Sequence, residues 1–263
     1  MSASAPLPPP PDQWDTSYLR LIVFSCQSAM EASKGWWRDV TGYDPATSNE
    51  RRVQHGRERE DAGQFGGVDF TLTVEATRTL WTASVDESGP VFSERDDPPT
   101  RIPVLGQFLE RQRWFRETLA NWLSNFPLPV HRLAFIGHLL QQTDGPRAAY
   151  ERLSQYLRAV DLDPATSDFF YRINRRRKSA VSEVGINRLT MWRAHKQAKT
   201  WVDSESPHKG PSIEFHSASF EFDVNTAPEF KEHIPKDRLP ALFDELVDCV
   251  VEIAAVGDGY TKS

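Results

Sequence analysis

The sequence predicts an α+β fold made by internal duplication of one unit: strand, helix, three-strand meander, helix. The pentapeptide DPATS occurs twice, at residues 44–48 and 163–167. In both places it follows an apolar run and a stretch of helical periodicity, and it precedes strand-like alternation and a long amphipathic helix. We therefore expect an antiparallel sheet with the helices on one side.

The first half, residues 17–126, begins with the apolar run SYLRLIVFS, which predicts a strand. In the following SAMEASKGWWRDV, Ser28 and Glu31 have the spacing of a capping box, so we expect a helix to begin there. Asp-Pro disfavours further helix, which makes DPATS a turn. VDFTLTV and TRTLWTASV are predicted strands, and VLGQFLERQRWFRETLANWLSNF is the predicted closing helix.

The second half, residues 127–263, repeats this order. HRLAFIGHLL predicts a strand, and Asp144 is a candidate cap for the helix that follows. FFYRIN, INRLTMWRA and SIEFHSASFEFDV are the predicted strands of the meander. DRLPALFDELVDCVVEIAAVG is the closing helix, with Gly257 as its stop. Because the halves share one plan, we expect them to pack as one two-lobed body.

Residues 1–16 form a proline-rich N-terminal arm, in which PLPPPP favours polyproline II. Trp14 follows this run, so either the arm packs on its own domain or it grips a partner through an aromatic groove. Residues 86–103, DESGPVFSERDDPPTRIP, are predicted to form a surface loop.

Composition places the chain among globular proteins, with 263 residues, of which 39% are hydrophobic and 26% charged. Cys26 and Cys249 are too few for a disulfide framework or a four-cysteine zinc module, and we interpret both as buried thiols of a reducing compartment. The sequence shows neither a secretory signal nor an apolar membrane span. We therefore expect a cytoplasmic protein that does not contact the membrane.

The charge distribution is the most informative functional signal. Residues 172–199 carry a net charge of +8 by count, whereas the whole chain carries −6. We call the cations of this segment and the smaller group after the first DPATS the basic stripe, a candidate binding surface for an anionic partner. Its members are Arg172, Arg175, Arg176, Arg177, Lys178, Arg188, Arg193, Lys196, Lys199, Arg51, Arg52 and Arg57.

Three interpretations of the basic stripe remain open. It binds an acidic protein, it binds nucleic acid with Tyr171 and Trp192 stacking on bases, or it pairs with carboxylates of its own chain. If Arg175, Arg176 and Arg177 form an exposed loop, changing all three to glutamate should leave folding intact and abolish binding.

Catalytic motifs are sparse, with no glycine-rich phosphate loop, G-x-S-x-G or H-E-x-x-H. Asp223, Glu229 and Lys231 have the order of a metal-dependent nuclease site, although Glu229 and Lys231 stand in a proline-bounded loop. The seven histidines show no ligand spacing with cysteine, and His55 among arginines is a weak candidate general base. We predict no catalytic residues, metal site or cofactor.

The duplicated plan, with FEFDVNTAPEF leading into LPALFDELVD, resembles an uncharacterised, sporadically distributed family of duplicated bacterial α+β proteins. The resemblance implies no known activity or site residues, and its patchy distribution suggests a role in defence against phage or mobile elements. The predicted function is a non-catalytic interaction protein, a subunit or adaptor of a bacterial multiprotein assembly. The alternatives are a nucleic-acid-binding component and a metal-dependent nuclease.

Overall fold

The structure is a computed structural model that describes residues 10–54, 56–85, 100–165, 167–202, 209–230 and 232–258. For residues 199–202 and 209–212 it assigns strand but does not describe side chains. Within these ranges the chain is a mixed α+β protein with one large antiparallel sheet and four α-helices. The predicted α+β class with an antiparallel sheet is confirmed.

The first part of the chain contributes six strands and two helices. Their bounds are β1 Asp15–Ser25, α1 Trp36–Thr41, β2 Thr47–Val53, β3 Gly56–Phe65, β4 Val68–Val74, β5 Arg78–Ser84, β6 Gly106–Gln107 and α2 Phe108–Asn125. The second part contributes five strands and two helices. Their bounds are β7 Val130–Thr143, α3 Pro146–Tyr156, β8 Phe170–Asn174, β9 Arg177–Lys178, β10 Gly185–Val202, β11 Lys209–Thr226 and α4 Leu239–Val256.

The strand order of the sheet is β2-β3-β4-β5-β1-β7-β11-β10-β8, with β6 beside β1 and β9 beside β10. β1 and β7 are antiparallel neighbours at its centre, where Leu21 lies opposite Phe135. Read outward from this pair, β5, β4, β3 and β2 follow β1 on one side, and β11, β10 and β8 follow β7 on the other. Every strand pairing in the described chain is antiparallel.

One face of the sheet packs into the main hydrophobic core. Its side chains come from alternate residues of each strand, because alternate residues point to the same face. On β1 these residues are Leu19, Leu21 and Val23, all fully buried. They belong to one cluster with side chains of all four helices, among them Trp36, Phe115, Leu153 and Leu246. We call the opposite side, which on β1 carries Tyr18, Arg20, Ile22 and Phe24, the second face of the sheet.

Three details differ from the predicted elements. The helix expected at Ser28 begins only at Trp36, after Gly35 in the left-handed region, so the Ser28–Glu31 capping box does not form. Asp144 does not cap α3, whose N-cap is Gly145. The hairpin of β2 and β3 was missed, because all seven residues of β2 are exposed and show no alternation. The edge of the sheet therefore lies in the segment that carries Arg51, Arg52 and Arg57.

Gly257 ends α4, as predicted. Its φ of 72° lies in the left-handed region, and a Cβ there would clash with the backbone of Tyr156. This close approach lets the amide of Asp258 donate to the carbonyl oxygen of Tyr156 at 3.1 Å. The turn after α4 is thereby fixed against the end of α3.

Trp14 packs in the core of its own chain. Its side chain is 0% exposed, and its Nε1 donates to the carbonyl oxygen of Ala254 at 3.0 Å. The indole also contacts the rings of Tyr156, Trp192 and Phe220. Residues 10–13 are described beside it, whereas residues 1–9 of the proline run lie outside the described residues.

Two further expectations have different outcomes. Cys249 is buried, and burial raises the pKa of its thiol to about 11. Cys26 is exposed, with Sγ 3.6 Å from Nδ1 of His131, so the prediction that it is buried was wrong. Among the described helices, none has the length and apolar character that crossing a membrane requires.

Candidate functional site

The basic stripe is divided between the two faces of the sheet. Arg175 forms a bidentate salt bridge with Asp258. Its Nε donates to Oδ1 at 2.6 Å and its Nη2 donates to Oδ2 at 3.1 Å. Tyr171 donates to the same carboxylate at 2.7 Å, and the Asp258 side chain is only 3% exposed. A buried carboxylate with three donated hydrogen bonds is a structural centre, so Arg175 is committed to the fold.

Arg177 and Arg188 are held by carboxylates of α4. Arg177 lies 3.3 Å from Glu245 and 3.6 Å from Glu252, and Arg188 lies 3.2 Å from Glu252. Glu245 also accepts from the hydroxyl of Ser179 at 2.5 Å and the amide of Ala180 at 2.9 Å. These contacts tie the connection before β10 to the closing helix.

Most other members of the stripe have a carboxylate partner nearer the surface. These pairs are Arg176 with Glu229, Arg193 with Glu221, Lys196 with Glu214, Arg51 with Glu58 and Arg57 with Glu50. This is the arrangement of the third interpretation, in which the stripe pairs with carboxylates of its own chain.

Three members of the stripe are exposed and form no ion pair within the described residues: Arg52, Arg172 and Lys178. The Lys199 side chain lies outside the described residues, as does His55. Two central arginines that the sequence analysis did not select, Arg20 on β1 and Arg132 on β7, also lack a carboxylate within salt-bridge distance in the described chain. Both lie on the second face of the sheet.

The nuclease-like set does not assemble in the part of the chain that the structure covers. Asp223 accepts from Asn225 at 2.7 Å, and exposed Glu229 pairs with Arg176. Lys231 lies outside the described residues. No group of three histidine, cysteine or carboxylate side chains there is placed to hold a metal ion.

A cleft on the second face gathers polar side chains from four strands, β1, β7, β10 and β11. In the strand register Tyr18 lies opposite His138, and His138 lies opposite Glu221. Arg193 and His195 enter the same cleft from β10, and Arg193 pairs with Glu221. The rings of His138 and His195 are 6.3 Å apart, and the Tyr18 ring is 6.4 Å from that of His138.

His138 is the unusual member of this cleft. It is only 9% exposed, and its Nε2 atom is buried with no hydrogen-bond partner among the described residues. Burial lowers the pKa of this imidazole to about 4, with smaller contributions from Arg193 and His195. The imidazole is therefore neutral at pH 7 and offers one unused hydrogen-bonding atom.

The neighbours of His138 also have shifted pKa values. Burial lowers the pKa of His195, and the positive charge of Arg193 lowers it further. Burial raises the pKa of the Tyr18 hydroxyl, and the Glu221 carboxylate adds to that effect. The cleft thus holds neutral imidazoles and a neutral phenol beside one ion pair.

The burial of His138 predicts a pH-dependent stability. Its folded pKa lies below the unfolded value near 6.5, so protonation favours unfolding and stability is lost as pH falls from about 6.5 toward 4. We expect wild type to lose about 2 kcal/mol more than His138→Gln between pH 7 and 5. Urea unfolding at both pH values measures this difference. His233→Gln, which changes an exposed histidine, is the control; equal losses in wild type and His138→Gln would contradict the prediction.

The sequence analysis did not identify this cleft, since it noted only that the seven histidines, His138 among them, lack ligand spacing with cysteine. Residues 18, 138, 193, 195 and 221 become neighbours through strand register, which a single sequence does not display. The one available signal was the polar residue His138 inside an apolar strand run. Comparison with protein-family models, curated proteins and solved structures finds no match.

Proposed function

We propose that this chain is a non-catalytic interaction protein, a subunit or adaptor of a bacterial multiprotein assembly, which contacts an anionic protein partner through the second face of its sheet. The observation that carries the proposal is that two arginines at the centre of that face, Arg20 and Arg132, have no salt-bridge partner among the residues that the structure describes. Most of the stripe's arginines, by contrast, have a carboxylate partner within salt-bridge distance. Defence against phage or mobile elements is the setting we propose.

The proposal includes an internal duplication with all four helices on one side of the sheet. Its support is the strand order, in which β5, β4 and β3 flank β1 as β11, β10 and β8 flank β7. Each half then has the order strand, helix, strands, helix. The packing of α2 against α4 and the shared core of all four helices are consistent with one helical layer. Such a layer leaves the second face for a partner.

The surroundings of Arg20 and Arg132 suit a protein partner with acidic and apolar groups. Arg132 lies over the ring of Phe24 at 5.0 Å, and Arg20 lies 5.8 Å from the ring of Tyr18. Arg20 also donates to Thr82 at 3.0 Å, which orients its guanidinium. Arginine beside aromatic side chains is the composition found at the centres of protein interfaces.

A nucleic-acid-binding component is the second candidate, favoured by one observation on the edge strand β8. Phe170 is 58% exposed and lies next in sequence to Tyr171 and close to Arg172, which has no ion pair in the described chain. An exposed aromatic ring beside an unpaired arginine can stack on a base while the guanidinium contacts a phosphate. Arg172 on this edge strand is a member of the basic stripe.

Affinity purification from the native cells tests the main proposal. We expect a protein to co-purify with the wild-type chain, and nuclease treatment should not remove it. This protein should not co-purify with the double variant Arg20→Gln, Arg132→Gln. The matched control is Arg113→Gln, Arg158→Gln, which removes two exposed arginines, also without ion pairs in the described chain, from α2 and from the segment after α3. Equal recovery with both double variants would contradict the proposed surface.

The same experiment distinguishes a protein partner from nucleic acid, the second candidate. A nuclease-sensitive species, lost when Arg172 is changed to glutamine and weakened steeply by added salt, would indicate nucleic acid instead. A heparin column run with the wild-type protein at two salt concentrations gives an independent measure of phosphate binding.

A further inference from the structure

The cleft around His138 has the shape of a small-molecule site. Its volume is about 420 Å³, within the range of ligand pockets. One wall is apolar and includes Val85, Ile102, Pro103 and Leu140. The other wall carries the polar side chains of β1, β7, β10 and β11. An apolar wall facing a few convergent polar groups is the usual composition of such a pocket.

The apolar wall is fixed by the segment before β6. Ile102 is buried against Leu140 and Phe215, in a cluster separate from the main core. Its amide donates to the side-chain oxygen of Gln142 at 2.9 Å, and the Gln142 amide donates to Thr100 at 3.0 Å. Residues 100–102 are thus held on the second face, where they form one border of the cleft.

The polar groups include several hydrogen-bond donors. Tyr18, His138, His195 and Arg193 can all donate, whereas Glu221 is the carboxylate of the cleft and is already occupied by Arg193. The Nε2 atom of His138 is buried and unpartnered in the described chain, although buried polar atoms are normally paired. The missing partner is a ligand oxygen, which would accept hydrogen bonds from these donors.

We propose that the cleft binds a small organic carboxylate, with its oxygens at Tyr18, His138 and His195 and its apolar body against Ile102, Pro103 and Leu140. The site adjoins the proposed protein-binding surface at Tyr18, but the two arginines that define that surface, Arg20 and Arg132, do not line the cleft. The inference therefore does not depend on the proposed function. An experiment that contradicts one of the two proposals does not contradict the other.

The charges that act on Tyr18 in the cleft balance, Arg20 and Arg193 against Glu221 and Asp223, so the preference for an anion rests on the hydrogen-bond donors. Arg193 acts on both histidines, lowering the pKa of each, and Arg20 and Arg193 oppose the rise in the Tyr18 pKa. Glu221 and Asp223 are the acidic groups that face these side chains from β11. A bound carboxylate would offset the effect of Arg193, so the pKa of His195 should rise when the ligand is present.

The test uses benzoate as the probe and benzamide, its uncharged counterpart of the same shape, as the matched ligand. Nuclear magnetic resonance of the histidine rings in the full chain follows each titration at constant ionic strength. We expect saturable shifts of the His138 and His195 signals with benzoate, little change with benzamide, and an upward shift of the His195 pKa. Equal responses to both ligands, or no saturable response to benzoate, would overturn the proposal.

Variants then locate the site. His138→Gln should weaken benzoate binding about tenfold or more, because a hydrogen bond to a charged group is lost. Glu221→Gln should strengthen binding several-fold, since it removes the competing carboxylate from Arg193. His131→Gln, which changes a histidine on the same strand outside the cleft, should leave binding unchanged. An equal loss in His131→Gln and His138→Gln would refute the assignment.

Discussion

Replacing Trp14 with alanine is expected to lower the free energy of unfolding by about 3–5 kcal/mol. The indole is fully buried, contacts three aromatic rings and donates to the backbone of α4. Removing it leaves a cavity and an unpaired carbonyl oxygen at Ala254. Chemical denaturation of the purified variant, followed by far-ultraviolet circular dichroism, measures the loss.

Trp14→Phe separates the two contributions. It retains an aromatic ring in the core but cannot donate to Ala254, so its loss should be clearly smaller than that of Trp14→Ala. If Trp14→Ala unfolded at the same denaturant concentration as wild type, Trp14 would be a surface residue and the described packing would be wrong.

Changing Arg175 to glutamate is expected to destabilise the fold by on the order of 3 kcal/mol. The sequence analysis expected the change of Arg175, Arg176 and Arg177 to glutamate to leave folding intact, on the assumption that the three form an exposed loop. Instead Arg175 faces the buried carboxylate of Asp258, and Arg177 faces Glu245 and Glu252. A new carboxylate at either position would meet existing negative charge with little water to screen it.

Arg176→Glu is the matched control for this prediction. Arg176 and its partner Glu229 are both more than half exposed, so the same charge reversal there should cost little stability. Thermal unfolding of the two single variants, side by side, measures the difference. Equal melting temperatures would show that the Arg175–Asp258 pair contributes nothing beyond a surface ion pair. The triple variant therefore cannot serve as a clean test of partner binding.

The elements that the sequence predicts best are those whose pattern is local. VDFTLTV coincides with β4, because alternating apolar residues bury one face of that strand. The hairpin of β2 and β3 escaped prediction because it lies at the sheet edge and is held by backbone pairing and charged side-chain pairs such as Arg51 with Glu58. Such a strand has no apolar pattern to detect.

The candidate sites depend on contacts that are distant in sequence. The excess of positive charge at residues 172–199 is visible in the sequence, but its partners Asp258, Glu245 and Glu252 come from α4 and the turn after it. The period-two alternation of β10 also sends Arg188 and Arg193 to different environments. A count of charges cannot resolve these assignments, because they require the strand register and the position of the closing helix.

The bond between Trp14 and Ala254 spans 240 positions of the chain, which bears on how the protein is made. During synthesis β1 emerges early, but β7, one of its two main neighbours, is not yet available, and the pocket for Trp14 is incomplete until α4 has been translated. Until then the nascent chain exposes an unpaired strand edge and a large aromatic side chain, both of which favour aggregation. The burial of Trp14 therefore has to wait for the synthesis of α4, about 240 residues later in the chain.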